Sequence, residues 1–183
     1  MTVVKIRPVQ ASELTQLWRL GFSQPQAAWT QWNGPYFKDQ LPSQQAFETV
    51  IGPRDWLKQP KNWVITVDDQ IVGNVNQHFV DGDLKRWLEV GILIYDDRHW
   101  GQQVGRRALT LWLTHLFTEV TTLPHIGLTT WSGNTRMMHL AAAIGLNLEG
   151  RIPQVRYWQG QYYDSVKYGI LRSDWQRLQL KSH

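Results

Sequence analysis

The segment from Leu88 to Trp131 constrains this chain most. LEVGILI is an apolar run of strand length, and the turn-rich stretch YDDRHWGQQVGRR follows it. Ala108, Leu109, Trp112, Leu113, Leu116 and Phe117 then recur at helical spacing between Gly105 and Val120. Pro124 ends the connection, and HIGLTTW, His125 to Trp131, reads as a buried strand. A strand, a helix and a strand in that order form a crossover, with the helix N-terminus beside the end of the first strand. Upstream, WVITV, IVGNVNQHFV and RWLEVGILIY are joined by Asp68-Asp69-Gln70 and Asp81-Gly82-Asp83, which makes an antiparallel meander. A meander that runs into a crossover demands a central mixed sheet, so the fold class is α+β.

The flanking elements follow from the same signals. VVKIRPV, near residues 3–9, alternates and is rich in β-branched residues, so it predicts a first strand. Ser12 is placed to cap a short helix carrying Leu14, Leu17, Trp18 and Leu20. An irregular, aromatic-rich stretch runs from Gly21 to Pro42, and Ser43 or its neighbours start a short helix around Gln44–Ile51. Asn134 to Ile144 is helical, with Gly145 as its stop. Strands near Leu148–Trp158 and Tyr162–Leu171 close through Gln159-Gly160, and SDWQRLQLK predicts a last helix capped by Ser173. No repeat or linker interrupts the chain, so residues 1–183 read as a single domain.

The chain has no cysteine, which excludes disulfides, thiol nucleophiles and thiolate metal sites, and fits a reducing compartment. The histidines show no metal-ligand spacing, so no metal is expected. MTVVKIRPVQ is too polar for a signal peptide, and no apolar run approaches the ~18 residues of a membrane span. The expectation is a soluble, cytoplasmic protein that meets no membrane. Net charge is +4, from 19 basic against 15 acidic side chains, with no like-charge block. That mild excess favours an anionic ligand and falls short of a nucleic-acid signal.

The anion has a natural place. A helix N-terminus presents unpaired N–H groups and partial positive charge, and Gly101 and Gly105 allow a close backbone approach. Arg106 and Arg107 sit in the first turn, where a cation opposes the macrodipole by about 0.3–1 kcal/mol. A bound anion would reverse that sign. The P-loop pattern G-x-x-x-x-G-K-[ST] and the Rossmann fingerprint G-x-G-x-x-G are both absent.

The spacing W-G-x-x-x-G-x-x-A-L, Trp100 to Leu109, resembles the acetyl-coenzyme A loop of the GNAT N-acetyltransferases. LEVGILI, HIGLTTW, NTRMMHLAAAIGLNLEGRI and RYWQGQYYDSVKYGILRSDW fit that family in order and spacing. They match best the branch typified by the RimJ/RimL protein N-terminal acetyltransferases. The resemblance implies a GNAT fold: a central mixed, mostly antiparallel, splayed sheet flanked by helices. It also implies acetyl-coenzyme A as cosubstrate. Backbone groups near Leu93 and Ile94 would pair with the pantetheine arm, and an N–H near Leu93 would polarise the thioester carbonyl. Arg98 and the turn Gly101, Gln102, Gln103, Val104, Gly105 and Arg106 would hold the pyrophosphate. Asn134 would bond the cofactor arm.

Three positions depart from the family pattern. Gln103 stands where the loop commonly has its middle glycine, Met137 where a serine is usual, and Ala141 where many members carry the tyrosine that protonates the departing thiolate. For the acid, Tyr168 on the closing hairpin is the remaining choice among Tyr157, Tyr163 and Tyr168. Glu89, just before the cofactor segment, is the candidate general base, acting through water; the alternative is a carboxylate paired with Arg86 or another cation. Asp164 matches a recurrent family position and is expected to be structural. Trp29, Trp32, Tyr36 and Phe37 could line an acceptor groove, or simply pad the sheet.

The expected activity is direct acetyl transfer to a primary amine, either a protein N-terminal α-amine or a small amine. The alternative is a catalytically weak GNAT-fold module that binds coenzyme A, an acyl form or a protein partner. A homodimer is compatible with the sequence.

Overall fold

Asp68 and Asp69 both take positive φ, 48° and 64°. Two consecutive left-handed residues make the turn that suits the twist of a hairpin. That turn joins β2 (Asn62–Val67) to β3 (Gln70–Phe79), antiparallel with Val67 opposite Gln70. The structure, a computed structural model, describes residues 2–58 and 61–181. Its seven-stranded sheet is mixed and mostly antiparallel, with helices, as the α+β reading requires. The chain packs as two compact units, Met1–Asn76 with Ile92–Leu111, and Gln77–Gly91 with Trp112–His183.

In the first unit, β1 (Val4–Arg7) runs antiparallel to β2, with Val4 opposite Val67. Ladder order here is β1-β2-β3-β4, where β4 (Leu88–Ile94) contributes its C-terminal half. A Cβ on Gly73 of β3 would collide with the Leu93 carbonyl, so this close approach of β3 and β4 requires glycine. Helix α1 (Leu14–Gly21) is entered through a 3₁₀ turn at Ala11–Glu13, so Ser12 is not its cap. The turn is held instead by Glu13, whose Oε2 accepts from the Gln10 N–H at 2.9 Å while Oε1 pairs with Arg7 at 2.6 Å. Ser43 does cap α2 (Gln44–Ala46), its Oγ accepting from the Ala46 N–H at 3.2 Å. Wider π-type turns at Phe47–Ile51 and Pro53–Lys58 extend it. Leu14, Leu17, Trp29, Phe47, Trp56 and Tyr95 are buried together as this unit's core.

In the second unit the ladder order is β4-β5-β7-β6, with β5 (His125–Trp131), β6 (Asn147–Trp158) and β7 (Gln161–Leu171). β5 pairs antiparallel with β7 along its whole length, from His125↔Leu171 to Trp131↔Ser165. Its parallel ladder with β4 holds only Leu88↔Ile126 and Glu89↔Gly127. The crossover helix is α3 (Val104–Glu119), followed by α4 (Thr135–Ala143) and α5 (Arg172–Lys181). α5 starts one residue before the expected cap Ser173, because the Arg172 N–H donates to the Pro124 carbonyl at 2.7 Å as β7 ends. Leu88, Ile126, Leu128, Val166 and Ile170 are buried at alternate positions, which defines the apolar face of the sheet.

Asp164 has the structural role expected of it. Gln154 bulges out of β6 at φ 57°, between Ile152 and Arg156 where the register shifts. Asp164 Oδ1 accepts the Gln154 N–H at 2.9 Å, and Oδ2 pairs with Arg151. These two donors hold the Asp164 carboxyl below the usual carboxylate range.

Candidate active site

The loop between β4 and α3 lies in the first unit. Asp96 shapes its start: Oδ1 accepts from the Arg98 N–H at 3.1 Å and from Nε at 2.9 Å, and Oδ2 accepts from Arg98 NH2 at 2.7 Å. Arg98 is thereby turned back onto its own loop, and its pairing depresses the Asp96 carboxyl. Gln102 Nε2 donates to the Arg98 carbonyl at 2.6 Å. The Trp100 indole N–H donates to the Ile94 carbonyl at 3.1 Å, so that carbonyl is already engaged.

The turn itself is exposed from Gly101 to Gln103. Gly101 has φ 74°, and a Cβ there would meet nothing within 4 Å. Gln103 also takes positive φ, 66°. Among the described residues, the N–H groups of Gln102, Gln103, Val104, Gly105 and Arg106 donate to no protein acceptor; the first to do so is Arg107, to the Gln103 carbonyl at 3.0 Å. The N–H groups of the exposed residues Gln102, Gln103 and Arg106, at the start of a 16-residue helix, can cradle a phosphate group. Arg106 is exposed beside them, whereas Arg107 donates to the Thr2 carbonyl at 2.9 Å. The residues present therefore fit a pyrophosphate.

Glu89 belongs to the second unit and is only 5% exposed. Its Oε1 accepts from Thr129 Oγ1 at 2.9 Å and from Lys167 Nζ at 2.9 Å. Lys167 also donates to Thr129 Oγ1 at 2.8 Å, closing a three-membered ring. The cation is Lys167; Arg86 makes no ion pair with Glu89 among the described residues. Among the described residues Oε2 accepts no hydrogen bond, and the side chain keeps 6% of its surface open.

The two expected catalytic residues do not come together. Glu89 faces Gly127, and Lys167 faces Thr129, on one side of the sheet. Tyr168 lies opposite Leu128 and Leu148, on the apolar side, because successive strand residues alternate. Ala141 is fully buried in α4. Asn134 caps α4, its Oδ1 accepting the Met137 N–H at 3.0 Å. Of the aromatics assigned to the acceptor, Trp29 is a core residue packed edge-on to Tyr95 and Phe22. Trp32 and Tyr36 are half-buried, and Phe37 is exposed against the Tyr36 ring at 4.7 Å.

Thr129 and Lys167 escape a reading of sequence alone. Their contact with Glu89 depends on the register of three strands far apart in the chain. The available signal was period-two alternation, which puts Thr129 on one face with Gly127, and Lys167 opposite in face to Tyr168.

Three solved structures share this fold, each too distant in sequence to carry more than that. An acetyltransferase of the GNAT family from Bacillus anthracis is 17% identical, with a TM-score of 0.71 over 94% of this chain and 99% of that one. A probable acetyltransferase is 21% identical, with a TM-score of 0.74 over 94% of each chain. A spermidine N-acetyltransferase from Vibrio cholerae, in complex with CoA and spermine, is 19% identical, with a TM-score of 0.74 over 94% of this chain and 98% of that one. No curated protein sequence matches the chain. The family model described as the acetyltransferase (GNAT) domain matches residues 4–147, most of the chain. This protein belongs to the GNAT family and is an acetyltransferase.

Proposed function

We propose that this acetyltransferase uses acetyl-coenzyme A to acetylate a primary amine, in the manner of the RimJ/RimL branch, with a protein N-terminal α-amine as the favoured acceptor and the cytoplasm as its setting. The observation that carries the cosubstrate is the exposed turn Gly101–Gln103 leading into the first turn of α3, with N–H groups that have no ordinary backbone acceptor. Bound there, acetyl-coenzyme A supplies an acetyl group already activated as a thioester. The turn holds the pyrophosphate through backbone donors, with Arg106 adding charge. With no cysteine in the chain there is no thiol to carry an acetyl-enzyme, so transfer is direct. As the amine nitrogen bonds to the acetyl carbon and the carbon–sulfur bond breaks, the surplus proton passes through water to Glu89 Oε2. No side chain is assigned to the leaving sulfur, since Ala141 is buried and Tyr168 faces away from Glu89. A simple thiol of pKa about 8.5 departs as the anion and is protonated by solvent.

The acceptor follows from charge. A polyamine needs several uncommitted carboxylates. In the first unit Glu13 is paired with Arg7, Asp55 with Arg54, Asp69 with Lys5 and Asp96 with Arg98. Glu48 accepts from Thr15 and Gln44, and Asp68 accepts the Val3 N–H, which leaves Asp39 and Asp97 as the carboxylates outside any such pairing among the described residues. An α-amine, of pKa about 7.7–8.0, is partly neutral at pH 7 and needs less help than a lysine amine near 10.4.

The test is thiol release from acetyl-coenzyme A over a panel of peptides, small monoamines and polyamines. Turnover with free peptide N-termini, and little with spermidine, is expected. Spermidine as the best acceptor would overturn the acceptor class. A second reading, a module that binds coenzyme A without turnover, is favoured by the missing tyrosine at Ala141. It predicts a thermal shift with acetyl-coenzyme A and no thiol release with any amine.

A further inference from the structure

We infer that Thr129 and Lys167 are positioning residues for Glu89: together they clamp Oε1 and aim Oε2 at the water that receives the acceptor's proton. The inference rests on Glu89 as the base.

The geometry points to a clamp because every donor converges on one oxygen. Thr129 Oγ1–H donates to Oε1, and Lys167 Nζ donates both to Oε1 and to Thr129 Oγ1, with all three sides between 2.8 and 2.9 Å. The lysine thereby fixes the threonine hydroxyl as well as the carboxylate, since a hydroxyl that accepts from an ammonium must point its own hydrogen elsewhere. Lys167 is itself held, with Nζ 5.1 Å from the centre of the Trp87 ring. Gly127 lies directly beside the carboxylate stem. It faces Glu89 in the parallel ladder, and the position its Cβ would take lies 3.8 Å from Glu89 Cγ and 3.2 Å from His125 Cε1. A Cβ there would only touch the glutamate stem, and its tight contacts would be with His125 and the Tyr168 carbonyl at 3.2 Å, so the carboxylate crosses β5 to Thr129 unobstructed.

Oε2 is not one of the buried polar atoms left without a partner, so solvent reaches it at the edge of the ion pair. Here Oε2 accepts nothing among the described residues, while the rotamer that presents it is fixed at the other oxygen. A base that works through water needs that combination of fixed aim and open lone pairs.

The experiment is steady-state kinetics on the full chain with acetyl-coenzyme A and the best acceptor of the panel. Thr129→Val, which keeps the shape and removes the hydroxyl, should lower kcat about tenfold and leave KM for acetyl-coenzyme A unchanged. Thr129→Ser should restore most of the loss. Lys167→Met should lower kcat at least as far, and should add nothing in a Glu89→Gln background. If Lys167→Met does not fold, the threonine pair decides. If Glu89→Gln lowers kcat while Thr129→Val and Lys167→Met lower only the melting temperature, the clamp is overturned and the base survives. If Glu89→Gln leaves kcat unchanged, the base is lost and the clamp with it.

Discussion

Gln103 repeats the left-handed backbone of Gly101 two residues downstream, at φ 66° against 74°. Gly101 adopts this region at no steric cost, whereas a residue with a Cβ loses about 1–2 kcal/mol there. The loop needs the conformation at both positions and has glycine at only one.

Gln103→Gly should therefore stabilise the protein. Relief of strain is partly offset by the extra chain entropy of glycine, about 0.5–1 kcal/mol. The net gain should be under about 1 kcal/mol, a rise in melting temperature of roughly 1–3 °C. Because the side chain is exposed and the N–H is retained, affinity for coenzyme A should change less than about threefold. Thermal melts and a coenzyme A titration check both. A fall in melting temperature would mean that the glutamine side chain contributes more than its backbone costs.

The fold was legible where pattern was strong. HIGLTTW is β5 to the residue, and the helix expected from Gly105 to Val120 is α3 shifted by one. Caps were less legible: Ser43 caps as read, but Ser12 yields to a turn held by Glu13, whose partner Arg7 no local pattern points to. The turn proposed to hold the cofactor is readable as a candidate because it is a contiguous run. The Glu89 cluster could not, because its members lie on β4, β5 and β7 and meet only through register. Tyr168, the candidate acid, lies on the other strand face from Lys167 and Glu89 for the same reason: one residue along a strand changes the face.

Arg172 joins the last helix to the end of α3. Its Nε donates to the Leu123 carbonyl at 3.0 Å, NH2 to the Val120 carbonyl at 2.6 Å, and NH1 to the Phe117 carbonyl. A guanidinium thus binds one carbonyl of the last turn of α3 and two of the connection after it, the Val120 carbonyl also accepting from the Leu123 N–H at 3.3 Å, and its charge suits that end of the dipole. Arg172→Ala should cost about 2–4 kcal/mol in urea unfolding. Arg172→Lys should recover less than half, because an ammonium cannot span the same fork of acceptors.

Acid should destabilise the protein through carboxylates whose folded pKa is lowered. Glu13 is lowered chiefly by its hydrogen bond from Arg7, Asp55 by Arg54, and Asp164 by the Gln154 N–H and Arg151. For such groups the unfolded chain binds protons first as pH falls, so stability is full above the unfolded values of about 4 and declines as pH drops through the folded ones. Unfolding free energy from these groups should be level from about pH 5 to 7 and fall below about pH 4. Asp164→Asn should make the acid slope shallower. A slope unchanged in that variant would remove Asp164 from the linkage.

The two arginines of the α3 first turn should separate cleanly. Arg106 is exposed, with no partner among the described residues, so in the free protein it only opposes the macrodipole. Arg106→Ala should then raise the melting temperature without ligand, by the equivalent of about 0.3–1 kcal/mol. The same substitution should weaken coenzyme A binding about fivefold, with a smaller effect at high salt, because an exposed charge–phosphate contact is screened. Arg107 instead donates to the Thr2 carbonyl, so it ties down the chain start at the expense of the same dipole. Arg107→Ala should leave coenzyme A affinity unchanged and make the backbone around Thr2 exchange faster with solvent deuterium. Melts with and without coenzyme A, and titrations at two salt concentrations, give the comparison. If Arg107→Ala weakens binding as much as Arg106→Ala, the loss reflects the general charge of the turn and not a directed contact from Arg106.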